Sequence, residues 1–74
     1  MEISQFRALL ALKESASLTI AGKRLGLSAS AVFCQIRQLE QEIGTKLYQQ
    51  IGKKLRLTDT GELLVKDAAR IMEI

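Results

Sequence analysis

The sequence predicts a mainly helical domain of four helices that carries one two-stranded β-hairpin. Apolar residues recur with helical spacing over most of the chain. Between residues 45 and 57 they alternate with polar residues instead, which is typical of strands. Serine, threonine and glycine stand where one periodic segment gives way to the next, and 74 residues allow a single domain.

The first predicted helix covers roughly residues 3–14. Ile3, Phe6 and Leu10 fall on one face of it, because residues three, four and seven apart meet on the same side of a helix. The serine-rich segment 15–17 that follows favours a loop. A second helix is therefore expected to begin shortly after it.

This second helix is short. We expect Thr19 to cap it, because a threonine hydroxyl can accept a hydrogen bond from an amide one turn on. Gly26 is expected to end it, since glycine tolerates the left-handed backbone of a helix terminus. The side chains expected to face the core are those of Ile20, Ala21 and Leu25.

The third predicted helix runs from a cap at Ser28 to a stop at Gly44. Its continuous apolar stripe consists of Val32, Ile36, Leu39 and Ile43. The opposite face is mixed and largely uncharged. Phe33 belongs to that face, where it either lies exposed or turns into the core. Glu40 is expected to pair with side chains a turn away on the helix surface.

A basic hairpin is predicted next, with strands at residues 47–49 and 54–57 and a turn at 51–53. Residues 45–60 hold four basic groups against one acidic group, a net charge of +3, which makes this the most positive part of the chain. The basic residues are Lys46, Lys53, Lys54 and Arg56.

The last predicted helix begins after a cap at Thr58, with Asp59 in its first turn, where a negative charge suits the helix dipole. It has no stop signal, so it either frays or belongs to a longer protein. It carries more apolar surface than a core of this size needs, which suggests a dimer interface, packing on the first helix, or both. The residues concerned are Leu63, Leu64, Ala68, Ile71 and Met72.

Composition excludes several function classes. The chain has no His and one Cys, so the commonest general base and an internal disulfide are absent. No acid–base pair stands at useful spacing, and neither an enzyme, a metal nor a cofactor is expected. No signal peptide or membrane span is expected, and a reducing, cytoplasmic compartment fits. The net charge of +3 and pI near 9.4 favour a polyanionic partner.

The two helices before Gly44 have the requirements of a helix-turn-helix. Gly22 supplies the small residue where the helices approach, Gly26 supplies the turn, and Val32 supplies the apolar contact back to the first helix of the pair. Followed by a basic hairpin, this motif predicts a winged helix-turn-helix. It comprises a three-helix core, a two-stranded wing and a C-terminal helix.

The sequence also resembles the N-terminal DNA-binding domain of LysR-type transcriptional regulators. The residues that carry the resemblance are 21–28 (AGKRLGLS), Ala31, Val32, 35–48 (QIRQLEQEIGTKLY) and 57–61 (LTDTG). It implies a DNA-binding domain at residues 1–58 and the start of a dimerisation linker helix at 59–74. It also implies double-stranded DNA and a second copy of the chain as partners. A small-molecule effector would bind only through a further domain, which this chain lacks.

On this reading the third helix enters the major groove and the hairpin contacts the backbone or minor groove. The residues expected at the DNA are Thr19, Ser28, Ala29, Ser30, Phe33, Cys34, Arg37, Lys53, Lys54 and Arg56. Thr19 and Ser28 would combine capping with phosphate binding at helix ends. Cys34 is either a redox switch or, with no cationic partner evident, a small half-buried side chain.

Several of these positions depart from the family pattern. The family usually has Gln-Pro where this chain has Ala29 and Ser30, Ser and a basic residue where it has Phe33 and Cys34, and Arg where it has Gln50. The operator sequence therefore does not follow from the resemblance. Phe33, Cys34 and Gln50, which replace polar or basic groups with apolar or neutral ones, motivate an alternative function: a winged-helix protein-interaction module that has lost DNA binding.

Overall fold

In the computed structural model, which describes residues 2–52 and 54–72, the chain forms four helices and one antiparallel hairpin. Lys54, Ile71 and Met72 are described by their backbone alone. The elements are α1 (Ile3–Ser15), α2 (Leu18–Leu25), α3 (Ala29–Ile43), β1 (Tyr48–Ile51), β2 (Lys54–Leu57) and α4 (Asp59–Met72). The predicted mainly helical architecture with a two-stranded wing is confirmed.

The start of α2 differs from the prediction: its cap is Ser17 and not Thr19. The Ser17 hydroxyl accepts a hydrogen bond of 3.2 Å from the amide of Ile20. The cause lies one residue earlier. Ala16 ends α1 with a left-handed backbone at φ 54°, and the backbone of Ser17 is then extended, as a capping residue requires. Thr19 therefore lies inside the first turn of α2.

The same shift explains why Ile20 is 46% exposed instead of buried. Leu18 takes the core position one turn before Ala21 and Gly22, and Leu25 completes this inward face. Ile20 lies beside the face and not on it. The core prediction for α2 is thus right for Ala21, partly right for the half-buried Leu25 and wrong for Ile20.

The predicted ends of α3 are confirmed. The Ser28 hydroxyl accepts a hydrogen bond of 3.1 Å from the Ala31 amide, and Gly44 closes the helix with φ 85°. Gly26 likewise ends α2 with φ 72°. Gly22 is required by close approach, because a side chain there would collide with the backbone carbonyl of Leu27. The tight contact is made with the turn that joins α2 to α3.

The buried residues form two adjoining clusters. One lies between α1, α2 and α3 and contains Ala8, Ala11, Leu12, Ala21, Val32 and Ile36. The other lies between α1, α3 and α4, where Leu64 and Val65 pack against Leu9, Leu39 and Leu47. The predicted stripe of α3 is therefore confirmed as core, with Ile43 half-buried at its end.

The base of the hairpin is joined to the start of α4 by Thr58. Its hydroxyl donates to the carbonyl of Lys46 at 2.7 Å and accepts from the Gly61 amide at 3.1 Å, which confirms the predicted cap. Its own amide donates to the carbonyl of Leu47 at 3.0 Å. Leu47 is fully buried before the first strand, so β1 begins at Tyr48 and not at residue 47 as predicted. β1 also includes Ile51, which was predicted to lie in the turn.

Candidate nucleic-acid interface

One side of α3 faces the core and the other side faces solvent. Val32, Ile36 and Leu39 are buried and fix the rotation of the helix about its axis. On the outer side, from the first turn onward, Ser30, Phe33, Cys34 and Arg37 are exposed, and Ala29 is half-buried. The leading end of this helix is therefore open to solvent in the described part of the chain.

The start of α3 is also suited to an anion. Ser28 is exposed, and its hydroxyl and carbonyl occupy the amides of Ala31 and Val32. The first amides of a helix have no carbonyl partner within the helix, and the helix dipole places partial positive charge there. This end of α3 can therefore donate hydrogen bonds to a phosphate oxygen.

Phe33 does not turn into the core. Its side chain is 47% exposed, and the guanidinium carbon of Arg37 lies 5.7 Å from the centre of its ring, within the range of a cation–π contact. Cys34 is exposed, so the alternative of a half-buried thiol is wrong. Phe33 and Arg37 therefore contact each other on the exposed face of α3.

The hairpin is held beside α3 by Glu40, which was predicted to pair with other side chains on the helix surface. Glu40 accepts hydrogen bonds from the amides of Leu47, at 2.8 Å, and Tyr48, at 3.4 Å. It therefore bonds the backbone that enters β1 and is not engaged in a pair on the helix surface. No feature of the sequence marks this role, because the acceptor and the two amides are brought together only by the turn at Gly44.

A second bond ties the hairpin to α1. The Tyr48 hydroxyl donates to the carbonyl of Leu9 at 3.1 Å. Burial, and then the negative charge of Glu62, raise the pKa of the Tyr48 phenol above its ordinary value. Tyr48 and Glu40 thus fix the first strand of the hairpin against two different helices.

A cleft of about 270 Å³ separates α3 from the hairpin. Its floor is apolar, and Phe33, Arg37, Lys46 and Gln50 line it together with Leu18 from the first turn of α2. Leu18 precedes Thr19, so the start of α2 also lies next to this cleft. Arg56 is exposed on the strand β2. The predicted contacts of Lys53, and of the Lys54 side chain, lie outside the described residues.

The α4 residues predicted for dimerisation do not share one environment. Leu63 is 65% exposed, Leu64 is half-buried against the core, and Ala68 is fully buried in the chain itself. Ala68 therefore has no surface to offer a partner, and its assignment to a dimer contact is wrong. Packing of α4 on α1 is observed, and the side chains of Ile71 and Met72 lie outside the described residues.

The described part of the chain holds neither a metal-binding cluster nor a membrane-spanning helix. No group of three or more His, Cys, Asp or Glu side chains there could hold a metal ion. Within the same residues, no helix combines the length and the apolar content required to cross a bilayer. The exposed side of α3 and the cleft beside it remain the candidate interface.

Comparison with known proteins gives the family. The model of the bacterial regulatory helix-turn-helix proteins of the lysR family matches residues 3–62. The chain belongs to the LysR family.

Among curated relatives, HTH-type transcriptional regulator MetR of Haemophilus influenzae is 38% identical over 97% of this chain and 23% of its own length. An uncharacterized HTH-type transcriptional regulator of Azotobacter vinelandii, from the ibpB-leuC intergenic region, is 35% identical over the whole chain and 51% of its own length. The chain thus spans about half the length of one relative and about a quarter of the other.

Solved structures give the same result. The crystal structure of a CbnR_DBD-DNA complex matches with a TM-score of 0.92 and 32% identity, over 99% of this chain and 84% of that one. The BenM_DBD/catB site 1 DNA complex matches with a TM-score of 0.93 and 26% identity, over 99% and 82%. The winged helix-turn-helix fold is therefore shared with domains whose structures contain DNA.

Proposed function

We propose that this chain is the sequence-specific DNA-binding domain of a LysR-type transcriptional regulator and acts by binding, without catalysis. The observation that carries the proposal is the outward presentation of the start of α3, which is anchored by a buried stripe and free of covering residues in the described part of the chain. An α-helix of this kind fits the major groove of B-DNA. The similarity to two domains solved with DNA supports it.

The residues predicted to contact DNA take different roles. The amide end of α3 at Ser28 and Ala29, and Thr19 at the start of α2, are positioned for backbone phosphates. Ser30, Phe33, Cys34 and Arg37 face the base edges. On the hairpin, Lys53, Lys54 and Arg56 supply charge for the backbone or the minor groove.

The rest of the proposal concerns the whole protein. Residues 1–58 form the DNA-binding unit, and 59–74 begin a helix that pairs two copies through its exposed side at Leu63. Two copies then place their recognition helices in successive major grooves of a pseudo-palindromic site. A small-molecule effector acts through a domain outside this chain, and the protein works in the cytoplasm.

Selection of bound sequences from random duplex DNA, followed by fluorescence anisotropy, tests the proposal. We expect a selected site to bind at least about a thousandfold more tightly than random duplex at physiological salt. At about 50 mM salt random duplex is bound as well, because neutralised phosphates release counterions. No binding to any duplex at that salt concentration would overturn the proposal in favour of a protein-interaction module.

The role of the wing has its own test. The variant Lys53→Ala/Lys54→Ala should lower the slope of log affinity against log salt by about 2, since each lost phosphate contact removes about 0.9 from it. Lys66→Ala, on the exposed surface of α4, is the matched control and should leave the slope unchanged. An unaltered slope in the double variant would show that the hairpin does not contact DNA.

A further inference from the structure

Of the three aromatic side chains, all of which the structure describes, Phe33 is the exposed one. Phe6 is 7% exposed, and Tyr48 is half-buried with its hydroxyl bonded to the Leu9 carbonyl. Phe33 is 47% exposed on the outer side of α3. Its ring lies on the proposed binding face and is open to an apolar group of a bound partner.

Arg37 lies one turn after Phe33 and above its ring, 5.7 Å from the ring centre. Within the residues that the structure describes, Arg37 forms neither a hydrogen bond nor an ion pair. A cation–π contact attracts the guanidinium to the ring through its charge and does not require a hydrogen-bond acceptor. Arg37 thus lies beside the Phe33 ring, and its N–H groups remain available to a hydrogen-bond acceptor of a bound partner.

We propose that Phe33 and Arg37 read sequence as a pair: the Phe33 ring contacts the C5-methyl group of a thymine, and the Arg37 guanidinium, held by that ring, donates to N7 and O6 of a guanine. The inference rests on the proposed function and specifies what the site recognises. Thymine is the base that presents a methyl group in the major groove, and guanine is the base that presents two adjacent acceptors there.

The spacing of the pair sets the spacing of the bases. Residues four apart in a helix are separated by about 6 Å along its axis. Base pairs follow each other at about 3.4 Å in B-DNA. The thymine and the guanine therefore lie within about two base pairs of each other, a short element inside the selected site.

Single-group changes in the DNA test this pair directly. Each thymine of the selected site is replaced in turn by uracil, which removes the methyl group alone, and each guanine by 7-deazaguanine, which removes the N7 acceptor. Wild-type protein should lose about fourfold in affinity at one thymine, the equivalent of one buried methyl group. It should lose roughly tenfold at one guanine nearby.

Protein variants assign these effects to their residues. Phe33→Ala should bind the thymine and uracil sites equally and should also show a smaller effect of 7-deazaguanine, because Arg37 is no longer held. Arg37→Lys keeps the charge but loses the planar pair of donors, so the effect of 7-deazaguanine should be smaller than in the wild type, and Arg37→Ala should abolish it. Ile3→Ala, at an exposed apolar residue of α1, is the control and should keep both effects.

The outcomes separate this inference from the function on which it rests. If a specific site is selected but no uracil substitution changes affinity, the proposed contact between Phe33 and a thymine methyl group is wrong, while sequence-specific binding stands. If Phe33→Ala keeps its helical circular dichroism and still discriminates thymine from uracil, the residue assignment is wrong. If no specific site is selected at all, both the proposed function and this inference fall.

Discussion

The carboxylate of Glu40 accepts a hydrogen bond of 2.8 Å from the backbone amide of Leu47, and through it α3 holds the entry to the hairpin. Leu47 is fully buried, so its amide depends on this acceptor for its hydrogen bond. A hydrogen bond to a charged group contributes more than a neutral one, and an unsatisfied buried donor carries a further penalty. The bond therefore contributes to the stability of the domain and fixes the position of the wing relative to α3.

We predict that Glu40→Ala lowers the free energy of unfolding by about 2 kcal/mol. Glu40→Gln keeps an oxygen acceptor at the same place and should lose about half as much. Urea titration followed by circular dichroism measures both. Gln41→Ala removes an exposed neighbour and serves as the control. Equal stability of the alanine variant and the wild type would contradict this account of the bond.

Tyr48 should make stability fall in alkaline solution. Its pKa is raised in the folded chain, by burial first and by the charge of Glu62 second. The unfolded chain therefore loses the phenolic proton at a lower pH than the folded chain does. The associated stability is complete below about pH 10, the ordinary pKa of tyrosine, and is lost as pH rises from there toward the folded value.

The slope of this loss is at most about 1.4 kcal/mol per pH unit, and less here because the residue is half-buried and screened by solvent. Tyr48→Phe removes the titrating group and should flatten the profile above pH 10. It should also lower stability at pH 7 by about 1 kcal/mol through the lost bond to the Leu9 carbonyl. Parallel alkaline profiles for the variant and the wild type would show that Tyr48 does not titrate as expected.

Gly22→Ala should destabilise the domain although alanine favours helices. In an open helix the change would stabilise by up to about 1 kcal/mol. At this position the new methyl group meets the carbonyl of Leu27, which belongs to the fixed backbone of the turn. We expect a net loss of roughly 2 kcal/mol. Thermal unfolding measures it, and an increase in melting temperature would refute the close approach.

Gly26→Ala is the matched comparison for that variant. Nothing lies near its Cβ position, but its backbone has φ 72°. The expected loss is about 1 kcal/mol from the left-handed backbone alone.

Leu63 and Leu64 offer a paired test of the dimer. Leu63→Glu changes a residue that is 65% exposed, so it should leave the stability of the single chain within about 0.5 kcal/mol. It should weaken dimerisation about tenfold or more, because a buried charge would be left unpaired at the contact. Sedimentation of the chain at micromolar concentration, with and without the change, measures this. An unchanged association constant would remove Leu63 from the interface.

Leu64→Ala should act in the opposite way. Leu64 packs against the cluster of Leu9, Leu39 and Leu47, so its truncation is expected to lower the free energy of unfolding by about 2 kcal/mol. Self-association measured under conditions where the variant remains folded should change little.

Much of the fold follows from local patterns in the sequence. Ser28, Gly26 and Gly44 act where their chemistry predicts, because caps and left-handed turns depend on a few neighbouring residues. The apolar stripe of α3 likewise identifies its buried side. The prediction fails at Thr19, since the actual cap at Ser17 depends on a left-handed alanine that no propensity favours.

The candidate site was predictable as a face but not as a set of contacts. The exposed residues of α3 follow from the position of its buried stripe. The bond from Leu47 to Glu40 and the cation–π contact of Arg37 with Phe33 do not, because the first joins segments around a turn and the second depends on rotamers. Ala68 was misjudged for a related reason: a small residue reveals little in sequence about whether a chain buries it internally.

The contacts of Thr58 have a mechanical consequence. One hydroxyl bonds the carbonyl before the hairpin and an amide of α4, and Gly61 leaves no room between that helix and the Leu47 carbonyl. The start of α4 and the base of the hairpin are therefore expected to move together. A displacement of the start of α4 would therefore reach the base of the hairpin and, through the bond from the Leu47 amide to Glu40, the recognition helix as well.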